Sequence, residues 1–301
     1  MGILNARVVE RDEWLAMRRQ GIFSTDVAKI LRLCPPAWGG PLDVALDKRG
    51  LLPERTSKEM DAGLRLEPYV AAIYAAETKQ ELAKPLPRFH HSVAWMGATG
   101  DYVGDNGVNV SIKTTNRGEG WGEPWTDQIP EQYLTQSQWE MSVFGLEETH
   151  VAVLGPTPSE FRIFRVPISY TLIDKLVQIC GDFWHRLQSG WTPEIDWSDP
   201  RTPDLISLLY RPDETVTCEL DAEALQWVQE RERLGREISD ATDARDFLKA
   251  KLIQRMQTAS VGYLPDGREL RRTTINKADH MVRAHDETTM RVCKARKARK
   301  A

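Results

Sequence analysis

The stretch 97-GATGDYVGDNGVNVSIKT-114 predicts two β-strands joined by a tight turn. The turn is Gly104-Asp-Asn-Gly107, and apolar residues flank it on both sides. Alternate residues of a strand point to the same face, so Ser111 and Lys113 share one face while the residue between them points into the core. The hairpin brings this strand back past Asp101. We therefore expect the Asp101 carboxylate and the Lys113 ammonium group to meet.

A carboxylate beside a lysine suits the hydrolysis of a phosphodiester. The carboxylate can hold a hard divalent cation through oxygen, and such a cation activates water and stabilises charge on the phosphate. The lysine can orient the attacking water, help to deprotonate it and stabilise developing negative charge. The same spacing is also typical of a plain surface hairpin with one aspartate and one lysine. The spacing alone leaves both interpretations open.

A helix predicted over 58–77 carries the segment Gly63-Leu-Arg-Leu-Glu67. Its apolar stripe includes Leu64 and Leu66, which we expect to be buried, and Pro68 is expected to kink or break the helix. Glu67 lies at the edge of this stripe. It is either a solvated helix glutamate or a side chain that projects toward the sheet.

A second helix, predicted over 129–145, places Tyr133, Gln136 and Glu140 on one stripe. Pro130 suits the start of this helix and Gly145 suits its end. A stripe that contains an amide and a carboxylate is unsuited to an apolar core, because these groups need hydrogen-bond partners when they are buried. The stripe therefore either faces water or lines a polar site.

The remaining periodicity alternates between helices and strands. Helices are predicted over 12–33 with a break near Gly21, over 41–48 and over 170–188; strands are predicted over 89–98, 102–103, 108–110, 151–154 and 161–166. This order indicates an α/β core with a mixed central sheet flanked by helices.

The chain is predicted to divide into a core over 1–195, a linker over 196–220 and an extension over 221–301. The linker is inferred from its prolines. The extension combines an amphipathic helix over 221–256 with a hairpin around Asp266-Gly267, which makes it α+β, and ends in a basic tail. The helix either folds as a helical hairpin or packs against neighbouring subunits. The tail either is solvated or contacts DNA or a partner protein.

Composition excludes several classes of protein. The 301 residues carry 40 Lys and Arg against 44 Asp and Glu, a net charge of −4, which excludes a histone-like protein that coats nucleic acid by bulk charge. No apolar run is long enough to span a bilayer, and the first residues lack the features of a signal peptide. The four cysteines are too far apart for a zinc ribbon or a local iron–sulfur motif, and we expect them to be reduced in a cytosolic protein.

Taken together, the motifs resemble the YqaJ/lambda-exonuclease group of viral recombination nucleases, within the PD-(D/E)XK superfamily. The resemblance covers about residues 14–193. It rests on six motifs in the family's order: Arg18…Gly21-Ile-Phe-Ser-Thr-Asp26, with Thr25 where the family has serine; Gly63…Glu67; Asp101, with Tyr102 where glycine is usual; Lys113; Pro130…Tyr133…Gln136; and Phe183-Trp184…Pro193.

The resemblance implies a restriction-endonuclease-like core and an exonuclease that degrades linear double-stranded DNA from an end, in the 5′→3′ direction, with Mg²⁺ or Mn²⁺ as cofactor. It further implies a homo-oligomer such as a trimer, and a single-strand annealing protein as partner. It implies a phage or prophage protein that acts in the cytoplasm of a bacterial host, with no membrane association.

The resemblance also implies roles for individual residues. Asp101, Glu67 and the Ile112 carbonyl would hold metal, Lys113 would handle the attacking water, and Gln136 and Tyr133 would position the phosphate or the water. Arg19 and Thr25 would bind a terminal phosphate, since a fork-shaped guanidinium suits that group. Three tryptophans in predicted loops, at positions 38, 121 and 125, either wedge into the duplex end or pack within the protein.

One departure from the family pattern concerns catalysis directly. The family has Asp or Glu two positions before the lysine, whereas this chain has Ser111, and a hydroxyl brings no charge to a metal. In one interpretation the carboxylate has migrated to the neighbouring helix, where Glu140 is the candidate. In a second interpretation, the protein binds DNA ends and recruits partner proteins to them, but cuts DNA poorly or not at all. In a third, the serine is an engineered change.

Overall fold

The computed structural model describes residues 10–53, 57–116 and 120–273. The chain divides into two compact units, residues 1–211 and 212–301. The boundary falls inside the segment predicted as a linker.

The first unit alternates helices and strands, as predicted. Its helices are α1 (Arg11–Arg18), α2 (Ser24–Ile30), α3 (Pro41–Lys48), α4 (Lys58–Thr78), α5 (Glu131–Phe144), α6 (Tyr170–Gln188) and α7 (Thr202–Leu209). Its strands are β1 (Ile22–Phe23), β2 (Leu82–Ala83), β3 (Arg88–Phe89), β4 (Met96–Ala98), β5 (Tyr102–Gly104), β6 (Asn109–Thr114), β7 (Glu148–Leu154) and β8 (Phe161–Pro167).

The central sheet is mixed and has five strands in the order β2-β5-β6-β7-β8. The pair β6–β7 is parallel, whereas the other three neighbouring pairs are antiparallel. A smaller sheet, β1-β4-β3, has one parallel and one antiparallel pair. The predicted α/β fold with a mixed sheet is therefore confirmed.

Helices cover both faces of the central sheet. Val70 and Tyr74 of α4 pack with Ile112 and its neighbours on one face. Met141 of α5 packs with Phe164 and other residues of β7 and β8 on the opposite face. Because the faces alternate along β6, the side chains at 109, 111 and 113 point toward α5.

A second layer of helices covers the outside of α5. Its core cluster joins α2, α5 and α6 and includes the fully buried Trp139, whose indole N–H donates to the Gly97 carbonyl at 2.9 Å. The backbone at Gly97 lies so close to the Phe23 ring that a Cβ atom there would approach it to 2.7 Å. Glycine at this position thus leaves room for the Phe23 ring of the neighbouring strand β1.

The predicted burial of Leu64 and Leu66 on α4 is wrong, because both side chains are exposed. The helix runs from residue 58 to 78 and is not broken at Pro68. Pro68 is exposed as well, so water can satisfy the carbonyl that lacks its helical N–H partner. The buried face of α4 begins only at Val70, where the helix reaches the sheet.

Two further segments differ from prediction. Residues 89–98 form two strands, β3 and β4, separated by a turn in which the Met96 N–H donates to the Val93 carbonyl at 3.0 Å. Residues 202–209 of the predicted linker form α7. Leu205 of α7 is buried against α3, and Arg201 donates to both carboxylate oxygens of Asp43.

The second unit consists of α8 (Ala222–Met256) and a hairpin of β9 (Val261–Tyr263) and β10 (Glu269–Arg271). Gly267 has a positive φ in the turn, so the predicted hairpin is confirmed. The predicted basic tail lies outside the described residues. Among the described helices, none has a stretch apolar and long enough to cross a membrane.

Three charged side chains near the start of the core form a buried cluster. The Asp26 carboxylate accepts from Lys48 Nζ at 2.6 Å and from an Arg18 guanidinium nitrogen at 3.1 Å, and its other contact is the Phe23 N–H at 2.9 Å. Burial alone would raise the pKa of Asp26, but the Lys48 and Arg18 charges outweigh burial and lower this pKa to about 2. The cluster ties α1, α2 and α3 together.

We predict that Asp26→Asn destabilises the protein by about 3 kcal/mol at neutral pH, because it leaves the buried Lys48 charge uncompensated. A carboxylate with a lowered folded pKa stabilises the fold above its ordinary pKa and loses this effect as the pH falls. The difference in the free energy of unfolding between the variant and wild type should therefore be largest above about pH 4 and disappear as the pH falls toward the folded pKa of about 2. Denaturant unfolding across this range tests it, with the exposed Asp174→Asn as control. A difference that does not depend on pH would contradict the assignment.

Candidate active site

Asp101 is anchored at the point where β5 separates from β6. The two strands pair as far as Tyr102 and Val110, and β6 continues beyond this point. The Ile112 N–H, which lies beyond the last pair, donates to Asp101 Oδ2 at 2.8 Å. A carboxylate thus replaces the backbone partner that a longer β5 would have supplied, and Asp101 is held at the edge of the sheet.

The predicted meeting of Asp101 and Lys113 is present. Lys113 Nζ lies 3.8 Å from Asp101 Oδ2, and the Ser111 hydroxyl lies 3.4 Å from the same oxygen. The Lys113 ammonium group also lies 5.4 Å from the centre of the Tyr133 ring. The side chains of Ser111 and Lys113 therefore share one face of β6, on the side of α5, and Ile112 points into the core as expected.

The stripe of Tyr133, Gln136 and Glu140 lines a polar interior rather than facing water. Glu140 is buried, with 1 % of its surface exposed. Its Oε1 accepts from Gln136 Nε2 at 2.8 Å and from Ser24 Oγ at 3.0 Å, and its Oε2 accepts from Asn109 Nδ2 at 3.0 Å. One carboxylate thus joins α5, α2 and β6.

Burial raises the pKa of Glu140 above its usual range, and the nearby negative charge of Asp101 raises it further. The Lys113 charge and the hydrogen bonds from Gln136 and Asn109 lower it in part. The negative charge of Asp101 therefore opposes the ionisation of Glu140, and a cation bound near both side chains would favour the ionised form of Glu140.

These residues fit a hard divalent cation of the Mg²⁺ type. Such an ion commonly takes only one or two protein carboxylates and completes its shell with water and substrate phosphate oxygens. Among the described residues, no three acidic, histidine or cysteine side chains lie close enough together to hold one metal ion. The candidate donors are therefore Asp101 and Glu140, beside the Ser111 hydroxyl.

Glu67 lies beside Lys84 in the structure. Its Oε1 accepts from Lys84 Nζ at 2.8 Å, and Lys84 lies 5.1 Å from the Tyr102 ring. Helix α4, which carries Glu67, covers the face of the sheet opposite to α5. No hydrogen bond or ion pair joins Glu67 to Asp101 or Lys113 in the described part of the chain.

The arginine that reaches Thr25 is Arg18, not Arg19. A guanidinium nitrogen of Arg18 lies 3.1 Å from Thr25 Oγ1 and 3.1 Å from Asp26 Oδ1. Arg19 is exposed and its guanidinium lies over Gly50. The sequence motif begins with Arg18, but two adjacent arginines give no signal that tells which one faces Thr25.

The sequence interpretation missed two polar residues, Ser24 and Asn109. Both are buried and both donate to Glu140. Asn109 also donates to Thr149 Oγ1 at 3.1 Å, whereas its own Oδ1 has no partner among the described residues. Asn109 lies between two valines in the predicted strand 108–110, and a polar residue at that place was the available signal.

The loop tryptophans have three different environments. Trp121 packs between Tyr133 and Phe164, with ring centres at 5.4 and 5.1 Å. Trp125 contacts the edge of His150, and Trp38 is half-exposed with its ring centre 6.2 Å from that of Tyr133. Trp38 is thus the open end of an aromatic row beside Lys113.

Comparison with known proteins identifies the part of the chain that holds this site. Residues 13–147 match the family model of the YqaJ-like viral recombinase domain. The uncharacterized protein YqaJ of Bacillus subtilis (strain 168) is 26 % identical over 265 residues, which cover 85 % of this chain and 81 % of that protein.

Two crystal structures show a weaker similarity. An alkaline exonuclease (LHK-Exo) from Laribacter hongkongensis is 18 % identical, with a TM-score of 0.49 over 60 % of this chain and 93 % of that chain. A phage related exonuclease from Haemophilus somnus 129PT is 14 % identical, with a TM-score of 0.43 over 59 % of this chain and 99 % of that chain. The family match confirms the resemblance of the sequence motifs between Arg18 and Gln136: residues 13–147, which contain Asp101, Lys113 and Glu140, are similar to the YqaJ-like viral recombinase domain.

Proposed function

We propose that the protein is a metal-dependent exonuclease that degrades linear double-stranded DNA from an end, in the 5′→3′ direction, and so exposes single strands for recombination. The observation that carries the proposal is the convergence of Asp101, Lys113 and the buried Glu140 inside a YqaJ-like domain. A lysine beside two carboxyl groups is suited to phosphodiester hydrolysis.

In this proposal Asp101 and Glu140 hold the metal, with the Ile112 carbonyl as a further ligand. Mg²⁺ or Mn²⁺, when bound, supplies Lewis-acid activation of water and neutralises charge on the phosphate. Lys113 orients the attacking water and stabilises developing negative charge. Ser111 supports Asp101 through its hydroxyl. Glu67 is engaged by Lys84, so a role at a second metal position requires that this ion pair be released.

The residues around the lysine supply the binding of DNA. Tyr133 lies under the Lys113 ammonium group, and Gln136, fixed by its bond to Glu140, is placed to contact the phosphate or the water. Arg18 with Thr25 is the better placed pair for a terminal phosphate, with the exposed Arg19 beside them. We further propose that the protein forms a homo-oligomer, as a trimer, because a chain of net charge −4 would bind DNA along an enclosed path. A single-strand annealing protein is the proposed partner.

We predict that Lys113→Met lowers the rate of degradation of linear duplex DNA by about 100-fold or more while end binding is retained, because the lysine acts on the water. The assay follows release of nucleotides with Mg²⁺ or Mn²⁺, against EDTA and against a closed circular plasmid. Lys175→Met, an exposed lysine on α6, is the matched control. Equal activity with EDTA, or cutting of the closed circle, would contradict an end-dependent metal nuclease.

We predict that Glu140→Gln folds with nearly wild-type thermal stability but loses Mg²⁺-dependent cutting by about 100-fold or more. The fold tolerates the amide because Asn109 can rotate its side chain and present the unpartnered Oδ1 to it. The exposed Glu131→Gln on the same helix is the control, and binding of DNA ends is measured in parallel. Full activity of Glu140→Gln would remove Glu140 from the metal site.

A second candidate function is that of a catalytically weakened or inactive protein that binds DNA ends and recruits partner proteins to them. Ser111 favours it, because this residue brings no charge beside Asp101. Under our main proposal, Ser111→Glu adds a third carboxylate to a complete site and does not raise the rate. A gain of about tenfold or more, some 1.4 kcal/mol in the barrier, would instead favour the second candidate. Ser111→Ala, which adds no charge, is the control, and circular dichroism verifies that both variants are folded.

A further inference from the structure

Helix α8 exposes a regular apolar stripe. None of its residues is buried, although it is 35 residues long. Five large apolar side chains on it are between 44 % and 68 % exposed and share one face: Trp227, Leu234, Ile238, Leu248 and Leu252. A solitary helix that exposes so much apolar surface is unusual in a soluble protein, because apolar surface is normally covered.

The stripe follows a heptad repeat. Positions 227, 234, 241 and 248 are Trp, Leu, Ala and Leu, and positions 231, 238, 245 and 252 are Arg, Ile, Arg and Leu. These two series, each with a spacing of seven, are the d and a positions of a coiled coil that runs through four heptads. A helix that packs on a globular core would instead follow a 3.6-residue period.

We propose that α8 forms an antiparallel two-stranded coiled coil with the α8 helix of a second copy of this chain. The two arginines in the a series decide the orientation. In a parallel pair, Arg231 would face Arg231 of the second copy and Arg245 would face Arg245, which places like charges together in the seam. In the antiparallel pair centred between residues 239 and 240, Arg231 lies beside Leu248 of the second copy, and Arg245 beside its Leu234.

Charge complementarity at the flanks favours the same orientation. The g positions of the first half of the helix hold Glu230 and Glu237, whereas the last half holds Lys251 at a g position and Lys249 at an e position. In the antiparallel register, Glu230 lies opposite Lys251 of the second copy, and the reverse pair forms as well. Within the part of the chain that the structure describes, Glu230 and Glu237 form ion pairs with Arg233 of their own helix.

The self-association is tested on the full chain by light scattering over a range of concentrations. Ile238→Glu places a charge in the centre of the seam, and because Ile238 is exposed the change leaves the folded chain intact. We expect the molar mass to fall to half that of wild type or less, whatever oligomer the first unit forms. Leu225→Glu, an exposed leucine on the same helix outside the stripe, is the matched control and should keep the wild-type mass. Equal masses for wild type and Ile238→Glu overturn the proposal.

The orientation is tested by charge reversal. Glu230→Lys and Lys251→Glu should each weaken the association, because each places two like charges opposite one another. The double variant should restore it, since the pair is then rebuilt with its charges exchanged. In a parallel coiled coil residues 230 and 251 lie about 30 Å apart along the helix, so no rescue would follow. Failure of the double variant to recover the wild-type association therefore contradicts the antiparallel register.

Discussion

A carboxyl group in the interior of a protein must be hydrogen-bonded, and this requirement organises the core around Glu140. The side chain lies between α5, which carries it, and two donors on α2 and β6. Loss of Asn109 would leave the buried Oε2 without its donor, and loss of Ser24 would leave Oε1 with Gln136 alone, so the carboxylate ties the three elements together. Burial and the Asp101 charge raise the pKa of Glu140, so a cation bound nearby would favour the ionised form of this residue.

The outer part of the site depends on how the sheet ends. Because β5 is short, the Ile112 N–H is left for the Asp101 side chain, and this single hydrogen bond aims the carboxylate at the face that carries Ser111 and Lys113. The site is thus built at a place where regular pairing stops, on a rigid strand and a rigid helix. Such support gives well-defined positions to groups that must act on a phosphate and a water together.

The two units of the chain bury apolar surface in different ways. In the first unit, α4 and α5 cover the two faces of the central sheet. The charged cluster of Asp26, Lys48 and Arg18 joins α1, α2 and α3. In the second unit, the long helix lies beside the hairpin at its C-terminal end but has no buried residue and keeps its apolar stripe exposed. The first unit carries the chemistry that we propose, and the second offers a surface whose period suits another helix.

Four features could be predicted from the sequence: the class of the fold, most of its helices and strands, the resemblance to a family, and the meeting of Asp101 with Lys113. These features depend on local periodicity and on residues close together in the chain, where one hairpin suffices to join them. Only the tertiary structure decided that Glu140 is buried, that Ser24 and Asn109 hold it, that Glu67 pairs with Lys84 and that Arg18 rather than Arg19 reaches Thr25. Each of these depends on how separate elements pack, and the spacing of residues within one helix does not tell which neighbour its polar face will meet.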